Sequence, residues 1–142
     1  MFTKVGGNMR LFLIIAVLIL GVCLPCSAGD VVSDRLLDAI MQVESGGDYN
    51  AVGDSGKAVG CMQIWPIMVK DVNRISGKNY TLKDRYSKQK SFEMCRIFLS
   101  HYCKGMSDFS KARCWNFGPK GYRYKCTILY GNKVLKVMRK GK

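Results

Sequence analysis

The recurrence of apolar residues constrains this chain more than any other feature. Leu37, Ile40, Met41 and Glu44 follow the three-and-four spacing of one helical face. Phe92, Cys95, Leu99 and Tyr102 repeat that pattern within residues 87–103, and Tyr130, Val134 and Val137 within 127–139. Ser33 stands where a helix cap belongs, and Gly46-Gly47 ends the first helix, read over 34–44. Pro66 opens a second helix running to about Ile75, because proline suits a first turn. A short helix is expected over 108–115, followed by the loop Gly118-Pro119-Lys120-Gly121. Residues 48–64 are rich in Gly, Asn and Asp, and 76–86 are polar. The expected class is α+β and mostly helical, with a small β or irregular region between the first two helices. At 142 residues the chain has room for one domain, and 48% apolar residues are enough for a core.

The N-terminus sets the expected compartment. Lys4 and Arg10 precede an apolar run, Leu11 to Leu24, and then come Pro25, Cys26, Ser27 and Ala28. Basic start, short apolar middle and small residues at the cut describe a secretory signal over 1–28, cleaved after Ala28. The run is shorter than the ~20 residues a membrane-crossing helix needs. An uncleaved anchor is the alternative. The expected domain is then 29–142, secreted or periplasmic. It keeps Cys61, Cys95, Cys103, Cys114 and Cys126, an odd number, with one or two disulfides expected outside the cell. Cys95 and Cys103 lie too far apart along one helix to bridge, at about 12 Å; Cys114 and Cys126 flank a loop and form the better pair. The single histidine, His101, argues against a three-histidine zinc site. No metal and no cofactor are expected, and the chain is read as a monomer.

Lysine and arginine outnumber acids 23 to 10, a formal net charge of +13. The imbalance sits at one end: after Asp108 there are ten bases and no acid. A small basic protein meets a polyanion. The export signal argues against nucleic acid, which leaves a cell wall or an anionic membrane surface.

Glu44 is the residue that looks like chemistry. It continues an apolar stripe at the end of a helix, where burial and the helix dipole both oppose a negative charge. A carboxyl that keeps its proton near neutral pH can serve as a general acid.

Three segments surround it in order: Glu44-Ser45-Gly46-Gly47, Gly60-Cys61-Met62-Gln63-Ile64-Trp65-Pro66 and Cys114-Trp115-Asn116-Phe117-Gly118-Pro119. Together they resemble the lysozyme-like lytic transglycosylases of the soluble type, across roughly residues 34–138. The last segment is also similar to invertebrate-type lysozymes. The resemblance implies a lysozyme-like fold and cleavage of the β-1,4 bond between N-acetylmuramic acid and N-acetylglucosamine in peptidoglycan. It implies Glu44 as the acid that protonates the glycosidic oxygen. Ser45 would hold the glutamate or the sugar. Met62, through its backbone, and Gln63 would line the groove, with Asn116 across it. Trp65, Trp115 and Tyr122 would offer aromatic faces to sugar rings. Two departures stand out: the family's tyrosine before the asparagine is Trp115, and Phe117 is bulky where the family has a small residue. A tyrosine hydroxyl near the acid would then have to come from Tyr122 or Tyr124.

A hydrolase uses a second carboxylate, and Asp54 in Gly53-Asp54-Ser55-Gly56 is the candidate. A lytic transglycosylase uses the muramic C6 hydroxyl and needs one glutamate. The reading leans to the lyase. The alternative function is a non-catalytic cationic module that binds walls or membranes.

Overall fold

The computed structural model describes residues 31–141. The expected signal peptide lies outside the described residues. Five α-helices carry the domain: α1 (Asp34–Ser45), α2 (Pro66–Ser76), α3 (Lys88–Tyr102), α4 (Asp108–Phe117) and α5 (Ile128–Lys140). A two-stranded antiparallel sheet, β1 (Val52–Gly53) and β2 (Ala58–Val59), lies between α1 and α2. It pairs Val52 with Val59 and Gly53 with Ala58. This is the mostly helical α+β arrangement the apolar spacing predicts, with helix ends moved by one or two residues.

Local chemistry starts the helices. The hydroxyls of Ser33, Ser87 and Ser107 accept from the backbone amides of Leu36, Lys90 and Ser110, supplying partners that a helix N-terminus lacks. Pro66 occupies the first turn of α2. The core joins Leu36, Leu37 and Ile40 of α1 to Met94, Phe98 and Leu99 of α3, Val72 of α2 and Val134 of α5. α5 closes the bundle against α1 and α4. The Arg35 Nε of α1 donates to the Met138 carbonyl near the end of α5 at 3.0 Å.

Two buried polar residues brace the loops that frame the site. Arg85 is 7% exposed, and its Nη1 donates to the carbonyls of Lys57 at 3.1 Å and Ile64 at 3.0 Å. It ties the segment before α3 to both sides of the sheet region. Thr127 is fully buried; its hydroxyl accepts from Arg113 Nε at 2.8 Å and lies 2.8 Å from the Gly121 carbonyl. That pins the chain after α4 to the start of α5.

The cysteine expectation needs correction. All five described cysteines are free thiols. Cys126 is exposed and Cys114 is fully buried, so the expected pair is not formed; the Cys114 thiol donates instead to the Pro119 carbonyl at 3.6 Å. The reason is tertiary: the chain turns after α3 and brings that helix's end beside α4, while the Gly121–Thr127 turns face Cys126 outward.

Candidate active site

A cavity of about 800 Å³ opens between α2, the end of α1 and the wall formed by the end of α4. α2 contributes Ile67, Met68 and Asp71, with Trp65 just ahead of it. α3 contributes Phe98, and the opposite wall runs from Trp115 to Pro119. Glu44 and Gln63 reach the same space, as does Asp54. The three sequence segments, far apart along the chain, thus converge on one cleft.

Glu44 lies in the last turn of α1, partly buried. Burial pushes its carboxyl up from the ordinary value to about 7. A hydrogen bond from the Tyr130 hydroxyl pulls the other way, and the nearby negative charge of Asp54 adds to the rise. The Tyr130 hydroxyl donates to Glu44 Oε1 at 2.5 Å. Tyr130 belongs to α5, 86 residues away. Its apolar spacing marks it as inward-facing, but nothing local says what it meets. The hydroxyl thus comes from neither Tyr122 nor Tyr124. Tyr122 accepts from Arg123 Nε at 3.0 Å, and the Tyr124 ring packs on Phe117 with centroids 5.0 Å apart. Trp115, at the start of the opposite wall, packs edge-on to Phe98 with centroids 5.9 Å apart.

Gln63 is held in an unusual conformation. Its φ is +49°, which only a small share of non-glycine residues adopt. Its Nε2 donates to the carbonyls of Gly60 at 2.9 Å and Ala51 at 3.3 Å. These bonds fix the side-chain amide across the base of the sheet, next to Gly53, whose lack of a Cβ leaves room for Gln63 Oε1. Asn116 stands exposed on the opposite wall.

Asp54 is exposed, in the turn joining β1 to β2, and its Oδ2 accepts from the Trp65 indole at 3.2 Å. It shares the cleft with Glu44 and holds an aromatic side chain of the rim. Asp71 lies farther along α2. Burial pushes its carboxyl up, but hydrogen bonds from Arg74 at 2.6 Å and Tyr102 at 2.8 Å outweigh that and hold it below the usual range. Spacing gave no hint of Asp71 or Phe98 as cleft residues, because each reads as an ordinary position on its helix.

Of the expected contacts, the Ser45 and Tyr122 side chains are not among those around the cavity. The Ser45 hydroxyl donates to the Cys61 carbonyl at 2.9 Å and accepts from the Gly47 amide at 3.2 Å. It fastens the end of α1 to the Gln63 segment and is not among the residues around the cavity. The expectation for Met62 concerns its backbone; its side chain is fully buried in the core, because the chain reverses at Gly60–Gln63 and turns it inward. Tyr122 is half-buried beside Arg123, in the turn that follows the wall.

A similar fold occurs in a solved structure. A chain in the crystal structure of Aeromonas hydrophila PliI in complex with Meretrix lusoria lysozyme is 26% identical, with a TM-score of 0.64 over 77% of this chain and 93% of that one. No curated protein matches the chain. The Transglycosylase SLT domain matches residues 27–124, which include Glu44, the Gln63 segment and the whole Trp115–Pro119 wall. With most of its length inside that match and the expected segments gathered on one cleft, the chain belongs to the transglycosylase SLT domain family.

Proposed function

We propose that this protein is a peptidoglycan lytic transglycosylase in which Glu44 is the single catalytic carboxyl. The observation that carries the reading is the state of Glu44: a carboxyl on the cleft floor, kept protonated to about pH 7 by burial and aimed by Tyr130. Family membership supports a transglycosylase-type activity on peptidoglycan.

Protonated Glu44 gives its proton to the glycosidic oxygen between N-acetylmuramic acid and N-acetylglucosamine. The resulting carboxylate then takes the proton of the muramic C6 hydroxyl as that oxygen closes on C1. A 1,6-anhydro ring forms, and Glu44 returns to its starting state. No water is consumed. Tyr130 acts at both stages: it orients the acid and donates to the carboxylate while the charge is present. The Gln63 and Asn116 amides face the cleft from opposite sides, as suits the acetamido and hydroxyl groups of the sugars. The basic end of the chain supports attraction to an anionic wall: Lys133, Lys136, Arg139 and Lys140 of α5 are exposed. Export is part of the proposal, since peptidoglycan lies outside the cytoplasm.

Product analysis tests this directly. Digestion of purified peptidoglycan is expected to give muropeptides ending in anhydro-muramic acid, one water lighter than hydrolysed ends. Products with ordinary reducing ends, labelled by oxygen from water enriched in the heavy oxygen isotope, would identify a hydrolase instead. One observation favours that second reading: Asp54 shares the cleft with Glu44. Asp54→Asn therefore separates the two. The lyase is expected to keep its activity within about tenfold, the change reflecting a looser Trp65. A hydrolase that needs the second carboxylate would lose about 10²-fold or more.

Tyr130→Phe gives a further expectation. The lost hydrogen bond favours the ionised acid, so its removal raises the Glu44 pKa above its present value. The alkaline limb of the pH–rate profile is expected to move upward while kcat drops about tenfold from poorer positioning. An unmoved limb would show that the hydroxyl does not act on Glu44.

A further inference from the structure

The rim of the cleft carries an aromatic pair that the reaction at Glu44 does not use. Phe117, the last residue of α4, lines the cavity, yet it is 57% exposed. Tyr124 lies outside the cavity lining and is 47% exposed. The two rings meet with centroids 5.0 Å apart and planes tilted by 54°. The pair therefore runs from the cavity wall onto the outer surface. Aromatic carbon left in water is stabilised when another apolar surface covers it, and an exposed apolar patch beside a groove marks a place where a ligand can do so. Phe117 is also where the chain departs from the small residue of its family pattern, so this surface is the chain's own.

The backbone beneath holds both rings in place. The Tyr124 carbonyl accepts from Arg113 Nη2 of α4 at 3.0 Å, and the Tyr124 amide donates to the Gly121 carbonyl at 3.1 Å. Gly121 packs so closely on α4 that a Cβ there would lie 2.1 Å from the Arg113 carbonyl oxygen. The turn bearing Tyr124 is thus docked on the helix that ends in Phe117, and the rings are spaced before any ligand arrives. The other aromatic faces nearby are partly occupied. The Arg123 guanidinium lies over Tyr122 at 5.4 Å, and on the far rim the Lys57 ammonium lies over Trp65 at 5.5 Å.

We infer that Phe117 and Tyr124 form a stacking platform for an N-acetylhexosamine ring of the glycan strand, outside the two rings that flank the cleaved bond. The inference rests on the reading of the cleft as a glycan site. A pyranose ring has an apolar C–H face and a polar edge, so it covers aromatic carbon while its hydroxyl groups stay in water. Continuity with the cavity selects this occupant: a strand lying in the cleft passes over Phe117 and then Tyr124 as it leaves. Lys120, Arg123 and Lys125 flank Tyr124 in sequence and are exposed. Their charge disfavours a purely apolar protein partner and suits the acidic substituents of muramic acid. The consequence is a preference for longer strands, since a fragment too short to reach from Glu44 to the platform forgoes the stacking.

The test measures binding of N-acetylglucosamine oligomers, which carry no stem peptide, to the full chain bearing Glu44→Gln. The pentamer is expected to bind about tenfold more tightly than the dimer. Adding Phe117→Ala or Tyr124→Ala should remove most of that advantage, whereas Tyr124→Phe, which keeps the ring, should retain it. NMR of the chain with both rings intact gives a second measurement: ring protons of Phe117 and Tyr124 should contact sugar C–H protons of the bound pentamer. If an alanine variant melts well below its parent, those contacts decide. An advantage unchanged in both alanine variants would overturn the inference, as would missing ring contacts or a pentamer that does not bind. A loss seen only with peptide-bearing muropeptides would overturn it too, by assigning the platform to the stem peptide. The lyase reading fails separately: hydrolytic products from peptidoglycan, with the length advantage intact, would leave the platform standing.

Discussion

Glu44→Gln protein is expected to fold normally and to lose about 10²–10⁴-fold in the rate of peptidoglycan cleavage. Glutamine matches the shape of the acid and still accepts the Tyr130 hydrogen bond, but it has no proton to give. In the wild type the acid must be protonated before reaction, and its pKa is raised to about 7. The rate is therefore expected to hold below neutral pH and to fall about tenfold per pH unit above about pH 8. Above neutral pH the substitution should raise stability even as it removes activity. Below about pH 4 the carboxyl is protonated in both folded and unfolded chains. Between the ordinary carboxyl value of 4.5 and about 7 the unfolded chain releases the proton and the folded one keeps it. Wild-type stability therefore falls with rising pH across that window and then levels off, a loss of at most about 3 kcal/mol. Glutamine does not titrate, so Glu44→Gln should melt higher than wild type at pH 8 and lack this pH dependence. Turbidity clearing of cell walls and melting curves at pH 5 and pH 8 read both effects. Clearing that survives in Glu44→Gln and fades with salt would point to the cationic wall-binding alternative.

Gly60→Ala is expected to be the most destabilising single methyl addition in the loop that carries Gln63. Gly60 has φ +78°, and a Cβ there would lie 1.9 Å from the Arg85 carbonyl oxygen and 2.8 Å from its carbon. Both atoms are backbone, so no flexible side chain can swing away. Arg85 is itself locked by its bonds to Lys57 and Ile64, and Ser91 donates to its carbonyl at 2.9 Å. Relief of the clash must therefore shift the sheet region or the start of α3. The left-handed conformation adds about 1–2 kcal/mol and the displacement more, for a total of about 3–5 kcal/mol. Gly77 supplies the comparison. It also has positive φ, +68°, but nothing lies within 4 Å of its Cβ position. Gly77→Ala should cost only about 1–2 kcal/mol. Urea midpoints with unchanged slopes measure both. Similar losses for the two variants would show that the Arg85 contact is not rigid. Since the Gly60 carbonyl holds the Gln63 amide, Gly60→Ala should also weaken sugar binding in whatever fraction stays folded.

Much of the architecture was legible because helices announce themselves locally. Apolar spacing, serine caps and Pro66 fix where α1, α2 and α3 start and stop, each decided within one or two turns of chain. Glu44 was legible for the same reason: its place at the end of an apolar stripe already argues for a suppressed charge. The Glu44, Gln63 and Asn116 segments were visible as a set by their order.

Partners across distance were not legible. Tyr130 reads as an inward-facing residue of a basic helix, and only the docking of α5 on α1 brings its hydroxyl to the acid. Ser45 and Tyr122 belong to the expected set, yet a helix end and a turn send their side chains elsewhere. Cys114 does not pair with Cys126, because the fold buries the one and leaves the other exposed, a difference that spacing alone does not show. The sequence by itself determined the helical elements, the basic end and the acid. The tertiary structure alone decided what surrounds that acid, because desolvation and hydrogen bonding depend on which surfaces meet, and those meetings span up to 86 residues of chain.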